Sequence, residues 1–253
     1  MRKLDQNIWL YELPDEPAIS SRVVVRLSSG GLWIHSPPAL SKQLASEVRK
    51  LGRVEAIIAP NNAHHRFVTH WCNEFPDAKP YVARGVPAKN PERKHSAFIA
   101  EVAAALWAAD FDFTVMKGAP LLGECVFLHR TSRTLILSDL VQHYPPAASV
   151  ATKIFLGPMG WKGIRPAPPL RFDFVVHDRA ALTRFIDDLE EWEFDRITVT
   201  HGKCLERDAK EIFAQICERI TTQRGSTFHG FIMRRLLNQL NDGGLPKPIA
   251  ENA

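Results

Sequence analysis

The chain has 253 residues, enough for one large α/β domain or two small ones. Hydrophobic residues make up 45% and charged residues 24%, ordinary globular usage that argues against disorder outside the extreme C-terminus. The net charge of +4 comes from Lys and Arg spread along the chain. It points to no nucleic-acid footprint, and the short basic runs at 89–94 and 233–237 read as solvated faces.

Cys72, Cys125, Cys204 and Cys217 lack any C-x-x-C pairing and lie in apolar or helical stretches. They read as small core residues in a reducing compartment. Charges interrupt every apolar run of the opening "MRKLDQNIWLYELPDEP", which argues against a signal peptide. No apolar stretch approaches the roughly 18 residues that a membrane helix needs. The expectation is a cytoplasmic protein that meets neither nucleic acid nor membrane, and whose partner is a small-molecule substrate or ligand.

The first third reads as strands: "NIWLYEL" (7–13), "RVVVRL" (22–27) and "GLWIHS" (31–36) are β-branched or aromatic and separated by turn residues. The period then changes. Leu40, Leu44, Val48 and Leu51 recur at helical spacing, with Ser41 able to cap the start and Gly52 the end. "VEAIIA" (54–59) is apolar on both faces, as a central strand should be. "RFVTHWCNEF" reads as a helix stopped by Pro76, and "KPYVA" as a short strand. A helix is expected over 96–107 with Ser96 as its cap, followed by strands "FDFTVMK", "ECVFLH" and "RTLILSD".

The proline-rich region from Tyr144 to Leu170 reads as a long loop, and loops of that length inside compact domains are more often functional than idle. It is expected to wall the pocket, with Trp161 in it. A helix capped by Asp178, the strand "DRITVTHG" and an amphipathic helical stretch over 208–240 complete the chain. Two mixed halves of this kind predict two sheets packed face to face with helices outside.

Several apolar strands run into a residue able to bind metal or move protons. "VEAIIA" leads to "PNNAHH", with His64 and His65; "ECVFL" ends at His129; "TLIL" runs into Ser138 and Asp139; "RITVT" ends at His201; "GLWI" ends at His35. One such case would carry little weight, but strand ends on one sheet edge converge, and sites form there. Zinc or iron takes neutral imidazole nitrogen and carboxylate oxygen readily. Asn61 and Asn62 have an ordinary alternative as turn or cap residues. Arg130, Ser132 and Arg133 read as a solvated β-turn.

The stretches "LWIHSP", "VEAIIAPNNAHHRF", "VFLHRTSRTLILSDL" and "FDRITVTHG" together resemble the metallo-β-lactamase superfamily, over about residues 4–213. The resemblance implies an α/β (α+β) fold, a four-layer αββα sandwich, with 214–253 as a C-terminal helical extension packed on the same domain. It also implies a His-x-His-x-Asp-His motif after the strand. Here Pro60 and Asn62 fall on its first two histidines, His64 on the Asp and His65 on the last His. His129, Asp139 and His201 fall on the later ligands, and His35 on a supporting Asp.

The resemblance thus implies a broken first metal site and a competent second one. That second site would hold one divalent metal ion, zinc or iron, with His65, Asp139, His201 and His64 as ligands and His64 or His129 in the catalytic role. Two functions follow. One is a single-metal hydrolase acting on an ester, amide or phosphoryl substrate. The other is a catalytically inactive descendant serving as a ligand-binding or interaction module. No G-x-S-x-G elbow supports a serine hydrolase.

Overall fold

The structure is a computed structural model that describes residues 1–13, 20–86, 96–144, 163–167, 170 and 175–222. Strands β1 (Arg2–Asp5), β2 (Ile8–Leu13), β3 (Ser20–Arg26), β4 (Leu32–His35), β5 (Val54–Ala59), β6 (Lys79–Val82) and β7 (Ala97–Phe98) form one sheet in that order. The first four pair antiparallel and the last four pair parallel. A second sheet has the order β13-β10-β9-β8. It comprises β8 (Phe111–Val115), β9 (Cys125–His129), β10 (Thr134–Ile136) and β13 (Arg196–Thr198). In it β8, β9 and β10 pair antiparallel, and β13 lies parallel to β10. A hairpin of β11 (Val141–Tyr144) and β12 (Gly163–Pro166) stands beside them.

Strand alternation sorts the apolar side chains into three cores. Ile8, Leu10, Val23, Val25, Trp33, Ala56 and Ile58 face Phe111, Cys125, Phe127 and Ile136 between the sheets. The other face of the first sheet, with Val24, Leu32, Ile34, Ile57 and Ala59, packs on helices α1 (Lys42–Leu51) and α2 (Val68–Glu74). The other face of the second sheet, with Val126, Leu128, Leu135, Leu137 and Ile197, packs on helices α4 (Arg179–Glu190) and α5 (Ala209–Thr222). Helix α3 (Ile99–Leu106) closes the inter-sheet core through Ile99, Ala103 and Trp107. The result is the expected αββα sandwich.

Local signals hold where a side chain can make the cap. Ser41 Oγ accepts from the Leu44 amide at 3.1 Å, Gly52 closes α1, and Asp178 Oδ1 accepts from the Ala181 amide at 2.9 Å. The expected helix at 96–107 is shorter, because Ala97 and Phe98 pair with β6 and Phe98, not Ser96, occupies the cap position. Helix α5 runs without a break across residues 213–214, and Phe213, Ile216, Cys217 and Ile220 all enter the outer core. The rest of the expected C-terminal helix, and residues 145–162 of the proline-rich region with Trp161, lie outside the described residues. Among the described residues no helix is long and apolar enough to cross a membrane.

Phe127 is the hub of the inter-sheet core. Its ring lies 4.9 Å from Trp33, 5.6 Å from Phe111, 5.1 Å from Phe113 and 6.3 Å from Trp107. Truncation leaves a cavity that four aromatic rings cannot refill. Phe127→Ala is expected to destabilise the fold by about 3–5 kcal/mol, measured as the shift in a denaturant unfolding curve.

Candidate metal centre

Strand direction decides which expected residues meet. β4 and β5 run parallel, as do β10 and β13, and the segments following β5, β10 and β13 come together at one edge of the sandwich. They bring His64, Asp139 and His201 into one group whose ligand atoms all lie within 4.8 Å of one another. His64 Nε2 is 3.1 Å from Asp139 Oδ2, and His201 Nε2 is 3.2 Å from Asp139 Oδ1. The two imidazoles thus clip opposite oxygens of a single carboxylate, with their rings 5.3 Å apart.

His129 does not belong to this centre. β9 is antiparallel to β10, with His129 opposite Thr134 at the start of β10 and Phe127 opposite Ile136. The end of β9 therefore lies at the far edge of the sheet from Asp139. There His129 Nδ1 bonds Ser132 Oγ at 2.7 Å, and the ring packs 5.4 Å from Phe111. Arg130 and Arg133 point outward from the same turn to Asp112 and Asp195. His65 is half-buried and lies outside the three-residue group; its carbonyl accepts from the Val68 amide at 3.1 Å as the chain enters α2.

Asp139 is 7% exposed and well supplied with donors. Asn61 Nδ2 donates to Asp139 Oδ2 at 2.7 Å, while Asn61 Oδ1 accepts from the Ala63 and His64 amides at 2.9 Å each. One asparagine therefore shapes the turn that carries His64 and also orients Asp139. Burial pushes the Asp139 carboxyl up, but His64 and His201 pull it the other way and hold it well below the usual carboxylate range.

Glu124, fully buried, fixes the backbone beneath. Its carboxylate accepts from the amides of Ser138, Asp139 and Leu140 at 2.6, 2.6 and 2.7 Å. Burial and the Asp139 charge push Glu124 up to about 8, against the pull of those amides. On the His201 side, Thr200 Oγ1 donates to the Ser138 carbonyl at 2.8 Å, and the His143 amide donates to the His201 carbonyl at 2.9 Å. Gly202 has φ of 117°, and a Cβ there would run into the His143 carbonyl, so glycine is required beside His201.

The positions that the motif resemblance would make ligands of a first metal serve as structure. The Pro60 carbonyl accepts from the Cys125 amide at 2.7 Å. Asn62 Nδ2 donates to the carbonyls of Pro120 and Leu121 at 3.2 and 2.8 Å, with Gly85 leaving room for its amide. The sequence pattern reads Asn61 as a turn or cap residue, a role it fills through the Ala63 and His64 amides, and does not single out Glu124. The one signal for Glu124 is a carboxylate heading an otherwise apolar strand, which must find donors once buried.

A family model described as a domain of unknown function, DUF4336, matches residues 18–159, more than half of the chain. The chain belongs to this family. No curated protein sequence matches it. Among solved structures, the DIM-1 metallo-β-lactamase is 14% identical over 86% of this chain and 95% of that one, with a TM-score of 0.55. The chemotaxis sensor ODP, solved as a peroxy diiron species, is 11% identical over 92% and 98%, with a TM-score of 0.59. The metallo-β-lactamase FIM-1 from Pseudomonas aeruginosa, in a mono-zinc form, is 12% identical over 88% and 96%, with a TM-score of 0.54. This chain has the metallo-β-lactamase fold.

Two outcomes test the supports of Asp139. Asn61→Ala removes one donor to the carboxylate and the acceptor for two amides, and should lower stability by about 1–3 kcal/mol in denaturant unfolding. Glu124 has a raised folded-state pKa, so its contribution to stability is complete below 4.5, its ordinary value, and is lost as pH rises through about 8. The difference in unfolding free energy between the parent and Glu124→Gln should therefore shift against the parent from pH 5 to pH 9. A difference that stays flat across that range would show the carboxyl to be already ionised.

Proposed function

We propose that the chain is a metal-dependent hydrolase with a single divalent ion, zinc or iron, held by His64, Asp139 and His201. The observation that carries this reading is the convergence of two imidazoles and one carboxylate within 4.8 Å at the open edge of the sandwich. Two nitrogens and an oxygen are a donor set that zinc and ferrous iron both accept, with further positions left for a fourth protein ligand and, on expansion to five-coordination, for water or substrate. His65, next in the chain to His64, is proposed as a fourth ligand. A bound ion would supply Lewis acidity, acidifying water and polarising a carbonyl or phosphoryl oxygen.

The chain's own residues do the rest. Asn61 holds Asp139 Oδ2 and the turn carrying His64, and Glu124 holds the backbone of Asp139. Supports of this kind keep ligands aimed before the ion arrives. The substrate class, an ester, amide or phosphoryl compound, follows from the chemistry such a centre supports. The zinc and iron named for similar folds agree with the choice of ion.

One observation favours a second reading, a non-catalytic ligand-binding or interaction module. Pro60 and Asn62 bind the 120–125 segment through their backbone and amide groups. Those groups are engaged in holding the fold, which supports a reading in which the fold is kept without catalysis.

Metal analysis by mass spectrometry separates the two. The purified parent should carry about one zinc or iron per chain, and His64→Ala, Asp139→Ala and His201→Ala should each lose it. His65→Ala beside them reports whether the fourth position is filled from the protein. A parent that stays metal-free after incubation with zinc, manganese and ferrous iron sinks the hydrolase reading and leaves the module.

A further inference from the structure

Three fully buried side chains in the inter-sheet core carry polar atoms without a hydrogen-bond partner. They are Trp33 through Nε1, His35 through both ring nitrogens, and Thr198 through Oγ1. Alternation turns all three toward the layer between the sheets. Leu32 and Ile34 face the outer core and Trp33 the inner one, so His35 faces inward as well. Its ring stacks on Trp33 at 5.3 Å and meets the edge of Phe127 at 6.2 Å. On the second sheet Ile197 and Val199 face outward, which turns Thr198 and Thr200 inward. Ser138 follows inward-facing Ile136 by two residues.

The hydroxyls above this layer are spaced loosely. Ser36 Oγ lies 3.5 Å from Ser138 Oγ, which lies 3.4 Å from Thr200 Oγ1, which lies 3.5 Å from His64 Nε2. A buried polar group left unpaired costs about 1–3 kcal/mol, and three side chains of this core carry four such atoms. An indole N–H offers only a donor, a threonine hydroxyl offers both roles, and a neutral imidazole offers one of each. That is the mixture a buried water satisfies with its two to four hydrogen bonds. Burial, with His64 and Arg22 acting the same way, holds His35 well below the usual imidazole range and so neutral.

We propose that this layer is a built solvent site, in which ordered water bonded to His35 and Thr198 extends the polar network of His64 and Asp139 inward. His35 is then a positioning residue that acts on the metal centre through that water. The second statement rests on the metal reading; the first does not.

A crystal structure of the full chain, resolved well enough to show ordered solvent, tests the site itself. Solvent should lie within hydrogen-bonding distance of a His35 ring nitrogen and of Thr198 Oγ1, and should vanish in His35→Phe, whose ring suits the aromatic surroundings. Zinc titration against a competing chelator tests the positioning role. His35→Phe should lower zinc affinity about tenfold, with His35→Gln, which keeps a donor and an acceptor, recovering part of it. Thermal unfolding of both variants keeps a folding defect apart from an affinity change. A dry layer in the parent overturns the solvent site. Solvent present with zinc affinity unchanged in His35→Phe overturns the positioning role. A parent that binds no zinc removes that role together with the metal reading, while the solvent map still decides the site.

Discussion

Asp139 sets the terms for everything at the open edge of the sandwich. A carboxylate enclosed to 7% exposure is stable only if donors meet its oxygens, since burying an unpaired charge costs far more than any single contact returns. Three side chains answer that demand: His64 and Asn61 at one oxygen, His201 at the other. Asn61 and His64 arrive from the segment after β5 and His201 from the one after β13, while Asp139 itself follows β10. The carboxylate is therefore the point where the two sheets are tied at this edge, and the cluster that could hold a metal is the same cluster that satisfies Asp139.

The support extends one layer further. Glu124 gathers the amides of residues 138–140, so the turn after β10 is held by a second buried carboxylate rather than by a regular ladder. Burial, with the Asp139 charge beside it, pushes Glu124 up, while Asp139, with imidazoles on both oxygens, is held down. Environment alone separates two chemically alike groups into an anion facing the site and a capping group behind it.

Pro60 and Asn62 show how half of a metal motif becomes architecture. A proline side chain has no ligand atom, and its carbonyl instead receives Cys125 at the start of β9. The Asn62 amide gives both hydrogens to main-chain carbonyls of the 120–121 segment. These bonds join the segment after β5 of the first sheet to the segment leading into β9 of the second. Residues 60 and 62 are thus committed to the closure between the end of β5 and the 120–125 segment.

Much of this was legible from local pattern. Periods of two and of about 3.6 marked the strands and helices, Ser41 and Asp178 announced their caps, and the apolar run "VEAIIA" ending in "PNNAHH" marked a site. These are properties of neighbours in the chain, so the sequence by itself determined the layers of the fold and the supply of imidazoles and carboxylates at strand ends. It could not determine which ends meet. That depends on strand direction within a sheet, set by hydrogen bonds between distant segments: parallel β13 brings His201 to Asp139, and antiparallel β9 carries His129 to the opposite edge. The same holds for Asn61 and Glu124, whose partners lie 78 and 14 to 16 residues away. Burial forces a polar group to find a partner, but only the packed structure decides which one.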